Sequence, residues 1–166
     1  RDLNSDLLFN DYTQLREEFQ KRDNVDLKIN YQLRPGAMIW GKFGYMKNEG
    51  TGNNFVLGFD NPPTGDTSVT LYTFGTTWTL GQTTVLDANF GISRQDQTVL
   101  PADYGTNWGL QFGIPGTNNA NDIRGSGLPA MANGFNYAAP SWMPLWRKEI
   151  SYSGTVGLTK VFTDHE

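Results

Sequence analysis

The side chains that could carry chemistry are few and scattered. His165 is the single histidine and cysteine is absent, so no histidine pair, thiolate site or zinc cluster is available. His165 stands between Asp164 and Glu166, three groups that could hold a metal, but "TDHE" reads more simply as a solvated turn. Glu49, Asp60, Asn61 and Asp66 offer oxygens of the kind calcium takes, at a spacing that fits no EF-hand loop. Asp87, Asp103 and Asp122 are carboxylates suited to acid–base work, but nothing in the chain brings them together. The glycines of "GKFGYMKNEG" and "GTVGLTK" match neither a phosphate loop nor a dinucleotide fingerprint. What remains is aromatic. Tyr104, Trp108, Phe135 and Trp142 could stack on a sugar or peptide substrate, or could pack a long loop onto itself. The reading is of a protein that is no enzyme and takes no cofactor or metal.

The elements that must position these residues alternate with period two. In "DNVDLKINYQLRPG" Val25, Leu27, Ile29, Tyr31 and Leu33 interleave with Asp26, Lys28, Asn30, Gln32 and Arg34, which describes a two-faced strand. Strands are expected near 24–34, 37–46, 69–80, 85–95 and 149–162. Ile39, Gly41, Phe43 and Tyr45 share one face of the second, with Lys42 on the other. Tyr72, Phe74, Thr76, Trp78 and Leu80 line one face of the third, Leu86, Ala88, Phe90 and Ile92 one face of the fourth. Ile150, Tyr152, Val156 and Leu158 do so on the fifth. The apolar faces of both hairpins match only across odd-length connections. Residues 12–22, "YTQLREEFQKR", read as a charged helical turn or two, or as an extended arm.

The connections sort by length. Residues 1–22, 47–67 and 96–148 are long and rich in Gly, Asn and Pro, while those near 35–36, 81–84 and 163–166 are short. Antiparallel strands put every long one at the same end, as outer-membrane barrels do, with short turns toward the periplasm. A strand of about ten residues also suits a tilted bilayer crossing better than the usual soluble strand. Tyr31, Tyr45, Tyr72, Trp78 and Tyr152 lie toward strand ends, where interfacial girdles belong. The chain has 37% hydrophobic residues and a net charge of −4, and no basic stripe for nucleic acid. The fold class expected is all-β: about five antiparallel up-and-down strands forming part of a large transmembrane barrel wall, with long extracellular loops. The rival is a soluble all-β module that binds carbohydrate or peptide. It predicts folding in water without detergent.

Several stretches resemble one family. "DLKINYQLRPGAMIWGKFGY" is similar to a recurring hairpin of Oar-like TonB-dependent outer-membrane receptors, with Lys42 at a usually basic position and Gly44 where Ser is common. "TLYTFGTTWTLGQTTVLDANFGISRQ" resembles the next hairpin, and "FGIPGTNNANDIRGSGLPAMANGF" an external loop of that family. "EISYSGTVGLTKVFTDHE" resembles a further strand and turn, with His165 at the family's His position and Asp164 where Arg or Ser is common. The resemblance runs from about residue 20 onward and implies a piece of a longer receptor in the bacterial outer membrane, without its plug and signal peptide. Its implied partners are outer-membrane lipid, the rest of the barrel and plug of the same chain, the TonB complex through segments outside this stretch, and an unknown substrate. Nucleic acid is not among them. Asp26, Lys28, Asn30, Lys42, Asp87 and Asn89 would then face the lumen.

Overall fold

The computed structural model of the chain describes residues 17–52, 63–118, 121–128 and 143–162. Its elements are β1 (Gln20–Arg34), β2 (Ala37–Thr51), β3 (Thr64–Thr79), β4 (Thr84–Leu100), a single helical turn α1 (Trp108–Gln111), a 3-10 turn at Ile123–Gly125, and β5 (Leu145–Lys160). The strands form one five-stranded antiparallel sheet in sequence order, β1-β2-β3-β4-β5. By contacts the chain divides into two units. The sheet unit holds described residues 21–49, 65–100 and 144–162; the loop unit holds 17–20, 50–52, 63–64, 101–118, 121–128 and 143.

In the sheet unit the expected parity is kept. Lys42 Nζ lies 3.0 Å from Asp26 Oδ1, and a Cβ on Gly44 would stand 3.2 Å from the same oxygen. Even-numbered residues of β1 and β2 therefore share a face, which an odd connection demands. Gly36 has φ +78°, a left-handed conformation that glycine supplies at the tight turn between β1 and β2. At the second hairpin, Thr77 Oγ1 donates to Asp87 Oδ1 at 2.7 Å, again joining like parities across an odd connection. Between β4 and β5, Leu86 pairs with Leu158, Ala88 with Val156 and Ile92 with Tyr152 on one face, and Asn89 with Thr155 on the other.

The strands run further than the alternation suggested, to 20, 51, 64, 100 and 145 at the long-connection end. Those extensions lose the alternation: Asp96 pairs with Lys148 and Gln97 with Arg147, before Val99 meets Leu145 at the strand end. The ladder continues there by backbone hydrogen bonds, while neither face needs to be apolar, so the periodic signal stops before the strand does. Residues 20–22 belong to β1, and the rest of the 12–22 stretch lies largely outside the described residues.

None of the described residues covers the apolar face. Ala37, 2% exposed, is the only buried hydrophobic residue among those described, while Ile29 is 62% and Val156 76% exposed. A soluble sandwich would need a second layer over Val25, Leu27, Ile29, Phe74, Phe90 and Leu158. Among the described residues none exists, and an open apolar surface of this extent marks contact with something apolar. From Val25 to Leu33 this face covers about 27 Å of strand, or about 20 Å of height at a barrel tilt.

Candidate functional site

Two surfaces hold the candidate residues. The first is the polar face of the sheet. Asp26 and Lys42 form its ion pair, both substantially solvated, so the pair contributes little to stability. Lys28 Nζ sits 4.9 Å from the centre of the Trp40 ring, a cation–π contact. Trp40 in turn covers Gly75 on β3: a Cβ there would stand 2.6 Å from the indole Nε1 and nearer still to Cε2 and Cζ2. Asp87 accepts from Thr77, and Asn89 lies opposite Thr155. Asp26, Lys28, Lys42, Asp87 and Asn89 thus lie on this face, as the alternation requires, and Asn30 shares their parity. Trp40 was not singled out from sequence, although its even number places it beside Lys28 and Lys42. Its partner glycine lies across a long connection.

The opposite face shows the same device. Phe74 lies 3.6 Å from where a Cβ on Gly41 would be, and Phe90 3.8 Å from one on Gly154. In each case an aromatic ring covers the gap that a glycine leaves on the neighbouring strand. Around Gly41 a shallow dent of about 160 Å³ remains, lined by Leu27, Ile29, Phe43, Tyr72 and Phe74.

The second surface is the loop unit, whose order comes from short polar side chains. α1 ends in a full glycine cap: Ile114 N donates to Gly109 O at 2.8 Å, Gly113 N to Leu110 O at 3.1 Å, and Gly113 has φ +69°. Asn118, at φ +50°, ties three segments together. Its Nδ2 donates to Gly125 O (2.7 Å) and Gly127 O (2.9 Å), and its Oδ1 accepts from Gly109 N (2.7 Å). Asp103, only 5% exposed, accepts from Leu128 N at 2.6 Å. Ser126 Oγ accepts from Gly105 N at 2.7 Å and donates to Ile123 O. The motif "GIPGTN" and the later "RGSGL" are therefore the two halves of one hydrogen-bonded knot.

The carboxylates considered for acid–base work are separately engaged. Asp87 pairs with Thr77 and Asp103 with a backbone amide. Asp122 accepts from the Arg124 side chain at 2.9 and 3.0 Å and from its backbone N–H at 3.0 Å. The Arg124 guanidinium first, and that N–H second, hold the Asp122 carboxyl below its usual range. Of the calcium candidates, Glu49 and Asp66 flank Lys47, while Asp60 and Asn61 lie outside the described residues, as do Asp164, His165 and Glu166. Of the four aromatic candidates, Tyr104 and Trp108 are half-buried and Trp108 stacks on Phe112 at 5.8 Å. Phe135 and Trp142 lie outside the described residues. Phe112 itself, 61% exposed, is the more available ring.

A one-layer antiparallel sheet with an uncovered apolar face and a charged opposite face is the wall of a membrane barrel. The family described as an outer membrane beta barrel domain matches residues 2–166. The chain belongs to that family. Comparisons with curated proteins and with solved structures gave no match. As an outer-membrane barrel protein it resides in the outer membrane, where a barrel wall turns its apolar face to lipid and its polar face inward. No helix among the described residues is long and apolar enough to cross a membrane; this barrel crosses with strands.

Proposed function

We propose that this barrel segment belongs to a TonB-dependent receptor of the Oar-like type, which takes up a substrate across the outer membrane without catalysing a reaction on it. The observation that carries the reading is the knot built by Asn118, Asp103 and Ser126. It gives hydrogen-bonding work to the residues of "GIPGTN" and "RGSGL", the same stretch that resembles the receptors' external loop. An ordered external loop with exposed Leu110, Phe112 and Ile123 suits capture of a ligand with apolar or aromatic surface. Asp26, Lys28, Asn30, Lys42, Asp87 and Asn89 then line the lumen, where a plug from the same chain would meet them. The partners of this reading are outer-membrane lipid, the remaining barrel strands and plug, TonB, and the substrate.

The test uses the full-length protein purified from outer membranes. In a planar bilayer it should show no steady conductance, because a plug fills the lumen, and it should be retained on the immobilised periplasmic domain of TonB. A steady open pore with no TonB retention would refute the proposal and leave a simple channel. Cysteine scanning tests the lumen assignment separately: cysteines at Asp87 and Asn89 should react with aqueous reagents, and those at Leu86 and Phe90 with lipid-phase ones.

A further inference from the structure

The two ends of the lipid-facing surface treat their cations differently. At the long-connection end Lys21 pairs with Asp23 at 3.1 Å, Lys47 with Glu49 and Asp66, and Arg94 with Asp96 at 2.7 Å, while Lys148 stands opposite Asp96 in the ladder. These pairs stand just beyond the apolar belt and cancel one another's charge. At the short-turn end the cations are Arg34 and Lys160. Neither has a carboxylate within ion-pair reach among the described residues. Each lies over an aromatic ring instead: Arg34 Cζ is 5.4 Å from the centre of Trp78, and Lys160 Nζ 5.1 Å from that of Phe162. The rings are on the lipid side, since Trp78 shares the parity of Tyr72 and Phe74, and Lys160 and Phe162 that of Leu158. Arg34 leaves the polar face at the Pro35-Gly36 turn and swings to the rim over Trp78.

We propose that Arg34 with Trp78, and Lys160 with Phe162, are two seats for the headgroups of anionic phospholipid in the periplasmic leaflet. The short turns of an outer-membrane barrel face the periplasm, so both cations stand at the depth of that leaflet's phosphates. An aromatic ring at this level sits with its apolar body in the acyl region and leaves the cation outward. A guanidinium over a ring keeps its N–H fork free for two phosphate oxygens. Charge selects the occupant: cations with no carboxylate partner among the described residues favour an anionic headgroup, whereas the ion-paired external rim has no such preference.

The full-length protein is placed in nanodiscs of phosphatidylcholine containing a minor share of phosphatidylglycerol, and lipids retained after release are counted by native mass spectrometry. Wild type is expected to enrich phosphatidylglycerol over phosphatidylcholine. Arg34→Gln and Lys160→Gln should each lower that enrichment about five-fold, the effect of one cation near an anionic lipid surface. A Lys21→Gln/Lys47→Gln control at the external rim should leave it unchanged. Equal retention of the two lipids by wild type overturns the proposal without reference to any variant. So does enrichment that survives both rim substitutions, or that falls equally in the external control.

Discussion

Gly75→Ala is the substitution whose consequence follows most directly from the structure. A Cβ at Gly75 would stand 2.6 Å from Trp40 Nε1 and closer to Cε2 and Cζ2, inside the 3.0 Å that real Cβ contacts keep. β3 is hydrogen-bonded to β2 on one side and β4 on the other, so its backbone has little room to retreat. The indole must rotate away and leave Lys28 without its ring. Overpacking of this kind costs about 1–3 kcal/mol and an exposed cation–π contact about 0.5–1 kcal/mol. The expected destabilisation is therefore about 2–4 kcal/mol. In a Trp40→Ala background the new methyl group meets open space, and Gly75→Ala should be neutral or slightly stabilising, because glycine weakens a strand interior. Urea unfolding of the full-length protein in detergent micelles, followed by gel mobility, gives the four corners of the cycle. A coupling of about 2 kcal/mol is expected. If Gly75→Ala costs the same with and without the indole, then Trp40 is not what the glycine accommodates, and the cross-strand pairing argument fails.

The remaining predictions concern the loop knot and the two faces of the wall. Asn118→Ala removes three hydrogen bonds and should loosen the knot by about 2–3 kcal/mol, read as faster hydrogen exchange at the Gly109 amide; Asn118→Gly, which keeps the backbone conformation, should loosen it as well. Leu158→Arg places a charge against lipid and should cost about 2–4 kcal/mol, whereas Asn89→Arg on the opposite face should cost under about 1 kcal/mol; chemical unfolding of the two variants compares them. Asp122, with its carboxyl pK depressed by Arg124, should support the 3-10 turn fully above the unfolded carboxylate value of about 3.9. That support is lost as pH falls through the lower folded value. The Arg124 amide resonance should report the step, and Asp122→Asn should abolish it.

The apolar face of β1 was legible because strict alternation from Val25 to Leu33 admits one division into faces, and a slip of one residue would invert it. The odd hairpin connections were legible for the same reason: only they align Leu33 with Ile39 and Trp78 with Leu86 by face. The strand extensions were not, because Asp96, Gln97, Lys148 and Arg147 pair through their backbones beyond the depth where lipid imposes a pattern. In the loop, "GIPGTN" carried its turn glycines openly, but the role of Asn118 did not show. Its partners Gly125 and Gly127 lie seven and nine residues onward, and a single asparagine has no periodicity to betray it.

By itself the sequence determined which strand residues share the apolar face and which the polar one, because side-chain direction along a strand follows from residue number alone. Tertiary structure decided which strand residues meet one another. Trp40 reaches Gly75, and Phe74 reaches Gly41, only once the β2–β3 register is fixed across the connection from 52 to 63. That register is set by the hydrogen-bond ladder and by how each ring fills the neighbouring glycine's gap, and no local stretch of chain encodes it.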